Sequence, residues 1–138
     1  MAEFEAIYGV FINKQEEVLL FQRTWKRTYR KGKWDLMGGE IQDDETPEES
    51  FKREALEKLG LNVPNYSVIE TPIRLWEQTG IGIRHCFVSR DPIEEITLDS
   101  RKYRRYEWVD RNGIIVPTVP VGISAGIRKV LIHVGFIN

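Results

Sequence analysis

The sequence is poor in the residue types that mark secreted, membrane-bound or strongly charged proteins. Its 138 residues include one cysteine, Cys86, so no disulfide can form within the chain. No stretch approaches the ~18 consecutive apolar residues of a transmembrane helix, and residues 1–10 lack the pattern of a secretory signal. The net charge of −1 argues against bulk binding of nucleic acid. These absences predict a cytoplasmic protein with no membrane partner.

The composition that remains is typical of a globular chain. Hydrophobic residues make up 41% and charged residues 30% of the sequence, a balance that favours a folded domain over a disordered segment. A chain of this length can bury one core, and no repeat or linker interrupts it. We therefore expect a single domain that covers residues 1–138.

Hydrophobic patterns predict a mixed α+β organisation. Runs rich in β-forming residues predict an N-terminal hairpin and three further strands, at residues 5–23, 67–77, 81–89 and 106–110. Pro72 marks an edge or a bulge in one of them. Apolar residues at helical spacing between Ile123 and Val134 predict a C-terminal helix. The expected fold is a mixed sheet with two main helices.

The most informative segment is residues 38–61, which read GGEIQDDETPEESFKREALEKLGL. Thr46 followed three residues later by Glu49 forms the signal of a capping box, and Gly60 is typical of a helix end. The segment therefore predicts a helix at residues 47–59.

The two sides of this predicted helix differ in chemistry. The side that we expect to pack on the sheet carries the apolar residues Phe51, Ala55, Leu56 and Leu59. The opposite side carries the charged residues Arg53, Glu54 and Glu57, with Lys58 one turn after Glu54.

Two interpretations of the charged side stay open on these residues alone. Glu54 and Glu57, one turn apart, can hold Mg²⁺ or Mn²⁺ through carboxylate oxygens, and such a metal would act on phosphate groups. The glycines at 38–39 would let backbone approach that site closely. In the other interpretation, Glu54 with Lys58 and Arg53 with Glu57 form ion pairs on a solvated helix face.

The spacing of the segment resembles the Nudix box of the Nudix hydrolase family. From Gly39, five residues lead to Glu45 and seven more lead to the pair Arg53-Glu54; after two further residues come Glu57, Lys58, one residue more, Gly60 and Leu61. All but two specified positions of the box match. Ala55 stands where a larger aliphatic residue is expected, and Lys58 replaces the second glutamate of the Glu-Glu pair.

The resemblance implies a Nudix fold of the α+β class, in which a mixed β-sheet is packed between helices as an α/β/α sandwich. It implies a pyrophosphohydrolase that cleaves a nucleoside diphosphate linked to another moiety, with Mg²⁺ or Mn²⁺ as cofactor. The metal ligands that it implies are Gly38, through its carbonyl, Glu54 and Glu57. The catalytic residues that it implies are Glu54, Glu57 and Arg53. A further carboxylate from a later loop has the candidates Asp99, Glu94 and Glu95.

Lys58 favours an alternative function within the same family resemblance. An ammonium cannot coordinate Mg²⁺ and repels it, so the substitution removes one ligand and adds an opposing charge. The alternative is a Nudix-fold nucleotide-binding or regulatory domain with impaired catalysis.

Substrate contacts are expected from a basic, aromatic segment that precedes the box. Its cationic residues are Arg23, Lys26, Arg27, Arg30, Lys31 and Lys33. We expect Arg23 and Arg27, with the Gly39 backbone, to bind substrate phosphates; the alternative is a solvated loop.

The expected partner is a small-molecule nucleotide or nucleoside-diphosphate derivative, with an RNA 5′ end as the alternative. Homodimers are frequent in the family, so a homodimer is left open. His85 and Cys86 lie in a predicted strand, where a buried thiol is the expected role of Cys86.

Overall fold

The computed structural model describes residues 3–25, 32–77, 80–116, 122–124 and 126–138. The strands found there are β1 (Glu3–Phe11), β2 (Val18–Arg23), β3 (Trp34–Asp35), β4 (Met37–Glu40), β5 (Ser67–Val68), β6 (Ile73–Glu77), β7 (Gly80–Ser89) and β8 (Tyr103–Val109). The helices are α1 (Pro47–Leu59), α2 (Arg111–Ile115) and α3 (Ile127–His133). The chain is therefore of the α+β class, as the sequence predicts.

The strands form two sheets. In the five-stranded sheet, β1 lies between β4 and β7, and both β5 and β6 pair with the far edge of β7. The pairing of β1 with β7 is parallel and the other pairings are antiparallel, so this sheet is mixed. The three-stranded sheet is antiparallel, in the order β3-β2-β8.

The predicted hairpin at residues 5–23 is wrong in its pairing, although both of its strands exist. β1 and β2 lie in different sheets, and an isolated antiparallel bridge pairs Ile12 with Val18 between them. β1 is already paired on both edges, with β4 and β7, so the backbone of β2 takes its hydrogen bonds from β3 and β8 instead.

Helices pack on both faces of the mixed sheet, as in the α/β/α arrangement expected of the fold. On one face, Phe51 of α1 stacks on Phe87 of β7 with ring centroids 4.6 Å apart. On the other face, buried side chains of α2 and α3 pack on Tyr8 and Cys86. β4 runs beside β1 and contacts α1, and this contact positions the site.

Helix α1 begins and ends where the sequence predicts. The Thr46 hydroxyl accepts a hydrogen bond from the Glu49 amide, and the Glu49 carboxylate accepts one from the Thr46 amide. Gly60 ends the helix in the left-handed conformation, at φ 66°.

The prediction for the two sides of α1 is partly wrong. Leu56 is 53% exposed, whereas Glu54 and Lys58 are buried, at 6% and 8%. The side that carries Glu54 and Lys58 is covered because β4 passes over it, so it is not a solvated face.

Other sequence predictions hold in outline. The predicted strand at 67–77 is divided into β5 and β6 around Pro72, and β7 and β8 cover the later strands. The C-terminal helix begins at Ile127, later than the predicted Ile123. In the described part of the chain, no helix is long and apolar enough to cross a membrane. The cytoplasmic location stays a prediction.

Candidate active site

Arg53 joins three carboxylates at the side of α1 that faces β4. Its Nε and Nη2 atoms donate to the two oxygens of Glu45, at 2.7 and 3.0 Å. Its Nη1 atom donates to Glu54 Oε1 at 2.8 Å and to Glu57 Oε2 at 3.1 Å. We call Glu45, Arg53, Glu54, Glu57 and Lys58 the box cluster. The fold thus brings Glu45, from the loop before α1, to Arg53, about two turns along the helix.

The contacts between Arg53 and Glu45 shift the pKa values of both groups. The guanidinium of Arg53 lowers the pKa of Glu45 from 4.5 to about 2, chiefly through the two hydrogen bonds. The same bonds raise the pKa of Arg53 above its ordinary value. Both groups are therefore charged at neutral pH, and the fork geometry fixes their orientation.

Replacing Arg53 tests this electrostatic arrangement. We expect Arg53→Gln to raise the pKa of Glu45 from about 2 towards 4.5, as followed by carboxyl ¹³C NMR titration. The pKa of Glu45 is lower in the folded protein than in the unfolded chain. The ion pair therefore stabilises the fold fully above pH 4.5, and this stability is lost as the pH falls towards 2. Acid unfolding of the variant should therefore begin at a higher pH.

The matched control is Arg101→Gln, because Arg101 lowers the pKa of Asp99 in a separate, exposed pair. This control should raise the pKa of Asp99 and leave that of Glu45 unchanged. An unchanged Glu45 pKa in Arg53→Gln would contradict the arrangement.

The two glycines of β4 leave room for two different charged side chains, those of Glu54 and Arg84. A Cβ on Gly39 would lie 2.5 Å from the carboxyl carbon of Glu54, and one on Gly38 would lie 2.9 Å from Nη1 of Arg84. Real Cβ contacts are longer than this, so a side chain at either position would displace its neighbour. Glycine is therefore required at both positions, because the side chains of Glu54 and Arg84 approach the backbone of β4 closely.

Lys58 lies inside the box cluster. Its Nζ atom is 2.8 Å from Glu54 Oε2 and donates a hydrogen bond to the carbonyl of Gly38. It also lies 5.9 Å from the centre of the Tyr103 ring. The predicted ion pair between Glu54 and Lys58 is present, but it is buried.

The residues at this position do not fit a divalent cation. Gly38 and Glu54 are two of the three ligands that the family resemblance implies, and an oxygen of each contacts the ammonium of Lys58. Among the residues that the structure describes, no group of three or more histidine, cysteine, aspartate or glutamate side chains is arranged to hold a metal ion. A cation bound between Gly38 and Glu54 would have to displace Lys58.

A second buried ion pair lies beside the glycines, and sequence reasoning missed it. Arg84 of β7 donates to both oxygens of Glu77, at 3.0 and 2.6 Å, and to the carbonyl of Ile7 at 3.1 Å. Its guanidinium lies 4.3 Å from the centre of the Tyr8 ring. Burial alone would lower the pKa of Arg84, but Tyr8 and Glu77 outweigh it and raise that pKa. Charged residues in a predicted strand were the only available signal.

The predicted substrate residues divide between described and undescribed parts of the chain. Arg23 is buried at the end of β2, with Nη1 3.7 Å from Asp35 Oδ2. Arg27 lies outside the described residues, as does most of the basic segment around it. Their binding of substrate stays a prediction.

The candidates for an additional carboxylate do not join the box cluster. Asp99 contacts α1 through its backbone, because its amide donates to the carbonyl of Lys58, but its carboxylate binds Arg101. Glu94 and Glu95 are exposed.

Cys86 is buried, as predicted, and burial raises the pKa of its thiol to about 12.

The fold and the box cluster together define an α+β protein with a carboxylate-rich site next to a double glycine. The sequence model of the NUDIX domain matches residues 4–128, which is most of the chain. This chain belongs to the Nudix family.

Known proteins support the same assignment. An 8-oxo-dGTP diphosphatase of Proteus vulgaris is 35% identical over 63 residues, which are 46% of this chain and 55% of that relative. An oxidized purine nucleoside triphosphate hydrolase of Mus musculus is 41% identical over 54 residues, 39% of this chain and 33% of that protein. The chain thus matches about half or less of the length of these curated relatives.

A solved structure agrees over nearly the whole chain. The MutT protein of Methanosarcina mazei superposes with a TM-score of 0.81 at 24% identity, over 97% of this chain and 92% of that one. The NUDIX domain of Shewanella oneidensis NrtR, solved with ADP ribose, superposes with a TM-score of 0.78 at 18% identity, over 97% and 87%. At these identities the two structures support the fold alone.

Proposed function

We propose that this chain is a Nudix pyrophosphohydrolase that cleaves a phosphoric anhydride in a nucleoside-diphosphate derivative. The observation that carries the proposal is the set of hydrogen bonds through which Arg53 holds Glu45, Glu54 and Glu57 beside Gly39. Such a preorganised set of charges is what phosphate chemistry requires.

The roles of the residues follow from their burial and contacts. Glu54 is buried and its orientation is fixed by Arg53 and Lys58, so we assign to it the positioning and deprotonation of the attacking water. That water adds to phosphorus while the anhydride P–O bond breaks, and two phosphate-containing products leave. Arg53 holds the three carboxylates in fixed positions relative to one another.

Mg²⁺ or Mn²⁺ is the cofactor in this proposal, and we expect it to arrive with the nucleotide. Mg²⁺ commonly binds through one or two carboxylates together with substrate phosphates. The side chain of Glu57 is 58% exposed, so it is the carboxylate of the box cluster that a metal–nucleotide complex can reach. The cation would offset the charge that develops on the phosphate oxygens.

The substrates to test are suggested by the relatives of this chain. The proteins similar to this chain include an 8-oxo-dGTP diphosphatase and a NUDIX domain solved with ADP ribose. We therefore propose 8-oxo-dGTP and ADP-ribose as the first substrates to test. Arg23, Arg27 and the Gly39 backbone stay our proposal for binding phosphates. An RNA 5′ end is the alternative substrate, and a homodimer stays a prediction. We also propose that residues 1–138 form a single Nudix domain.

The test is chromatographic detection of the two phosphate-containing products formed from 8-oxo-dGTP, ADP-ribose, nucleoside triphosphates, dinucleoside polyphosphates and capped RNA, with Mg²⁺ and with Mn²⁺. We expect turnover that depends on the metal and falls about 10- to 100-fold in Glu57→Gln, the loss typical when a protein group that supports a metal is removed. The control is Glu48→Gln, since Glu48 lies on the same helix outside the box cluster and bonds Tyr66; its turnover should not change.

A second candidate function is nucleotide binding without hydrolysis, and the buried contact of Lys58 with Glu54 and Gly38 favours it. In that case the wild-type chain would bind ADP-ribose or a nucleoside triphosphate, as measured by calorimetry, but would not cleave it. Turnover that appears only in Lys58→Glu would support this function over hydrolysis.

A further inference from the structure

The charge at position 58 sets the balance of the whole box cluster. Its three carboxylates and two cationic side chains leave one negative charge. A glutamate at position 58, as in the family's box, would make the cluster more negative by two charges, which is the charge of one divalent cation. Lys58 therefore changes the site electrostatically by as much as a bound metal ion would.

The ammonium of Lys58 also contacts the kinds of oxygen that a divalent cation would bind. Lys58 Nζ contacts the carbonyl of Gly38 and the carboxylate of Glu54 at the same time. A hard divalent cation prefers the same kinds of oxygen, a backbone carbonyl and a carboxylate. The lysine thus bridges β4 and α1 at the place where the family's ligands would bring a metal.

Burial distinguishes this lysine from a surface ion pair. The side chains of Lys58 and Glu54 are only 10% and 8% exposed, and lysine and glutamate are rarely buried unless they are paired. Lys52, on the same helix, is exposed and lies over the Tyr66 ring. Lys58 is therefore held inside the site by contacts that a solvated lysine lacks.

We infer, on the basis of the proposed function at the same box cluster, that the Lys58 ammonium is a built-in cation that takes the place of a protein-held divalent metal. The free protein then has no tight metal site at Gly38 and Glu54. Any metal in the reaction comes with the nucleotide and binds at the exposed side of the box cluster, near Glu57.

The experiment measures Mn²⁺ binding to the protein without nucleotide, by the loss of the free-Mn²⁺ signal in electron paramagnetic resonance. We expect weak binding to the wild-type chain and binding about 10-fold or more tighter in Lys58→Glu, in line with the effect of protein groups on metal affinity. Lys52→Glu is the matched control, because it makes the same change in charge on the exposed part of α1; its affinity should stay close to that of the wild type.

Thermal unfolding provides a second readout of the same variants. Lys58→Glu places two carboxylates together in a buried site, so we expect a lower Tm that Mn²⁺ restores, because a ligand that binds the folded state stabilises it. The Tm of the wild type should respond little to Mn²⁺. If Lys58→Glu fails to fold, Lys58→Gln replaces it, and this variant should also bind Mn²⁺ more tightly than the wild type.

The outcomes separate this inference from the proposed function. Tight Mn²⁺ binding by the free wild-type chain, or equal affinities in wild type and the Lys58 variants, would overturn the built-in cation. Absence of anhydride cleavage would overturn the hydrolase proposal, and the Mn²⁺ measurement would still decide the role of Lys58.

Discussion

Arg84→Met should lower the free energy of unfolding by about 3–5 kcal/mol, the cost of leaving a buried charge without its partner. Arg84 holds both oxygens of Glu77, whose side chain is only 2% exposed. Without the guanidinium, the carboxylate of Glu77 stays buried, and the carbonyl of Ile7 loses a donor. Urea denaturation followed by tryptophan fluorescence measures the change.

Two further variants separate the buried charge from other effects of the substitution. In the double variant Arg84→Met with Glu77→Met, both charges are removed and replaced by apolar groups, so most of the lost stability should return. Arg74→Met is the matched control on the neighbouring strand, because it removes an exposed pair with Glu3; it should cost less than about 1 kcal/mol. A small effect of Arg84→Met alone would show that Glu77 reaches water.

The parts of the fold that the sequence predicts correctly are those with local causes. Helix α1 has its capping box and its terminal glycine within a few residues of the bonds that they make, so its bounds are predicted to the residue. The predicted strand at 67–77 is instead divided into β5 and β6; this division near Pro72 also has a local cause, since proline lacks the backbone donor that a ladder requires.

The errors in strand pairing and in the burial of charged residues involve partners that are distant in sequence. The hairpin of β1 and β2 was predicted because the two runs are adjacent, but β1 pairs with β7, about eighty residues later. The burial of Glu54 and Lys58 depends on β4, and a helical wheel contains no information about a strand that covers it. The same is true of Arg84, whose partners Ile7 and Glu77 are brought to it by the sheet.

The candidate site was predicted only in part: its residues could be identified from the sequence, but their contacts could not. The order of residues from Gly39 to Gly60 identifies the members of the box cluster, because a motif keeps residues that act together at fixed spacing. It cannot show how a substitution is accommodated. The replacement of glutamate by Lys58 indicates only a lost ligand, whereas the structure shows an ammonium bound to the carbonyl and the carboxylate that remain.

Gly39→Ala should reduce the rate of anhydride hydrolysis by about 100-fold, because small displacements of a catalytic group can cost that much. The backbone of Gly39 is not in the left-handed region, so alanine causes no conformational strain there. Its added methyl group would instead lie 2.5 Å from the carboxyl carbon of Glu54 and 2.6 Å from both of its oxygens. The carboxylate must move, and its bonds to Arg53 and Lys58 move with it. Steady-state kinetics should show the loss in kcat more than in KM.

Gly135→Ala is the control that separates displacement of Glu54 from general destabilisation. Gly135 has a positive φ of 83°, and a Cβ there would meet no atom within 4 Å. Alanine should therefore cost about 1–2 kcal/mol of stability through backbone strain and leave turnover unchanged. Gly39→Ala should show the opposite pattern, with turnover lost and stability changed less. Full turnover in Gly39→Ala would mean that hydrolysis does not require the buried position of Glu54, and the role of attacking-water base would pass to Glu57, the more exposed carboxylate of the box cluster.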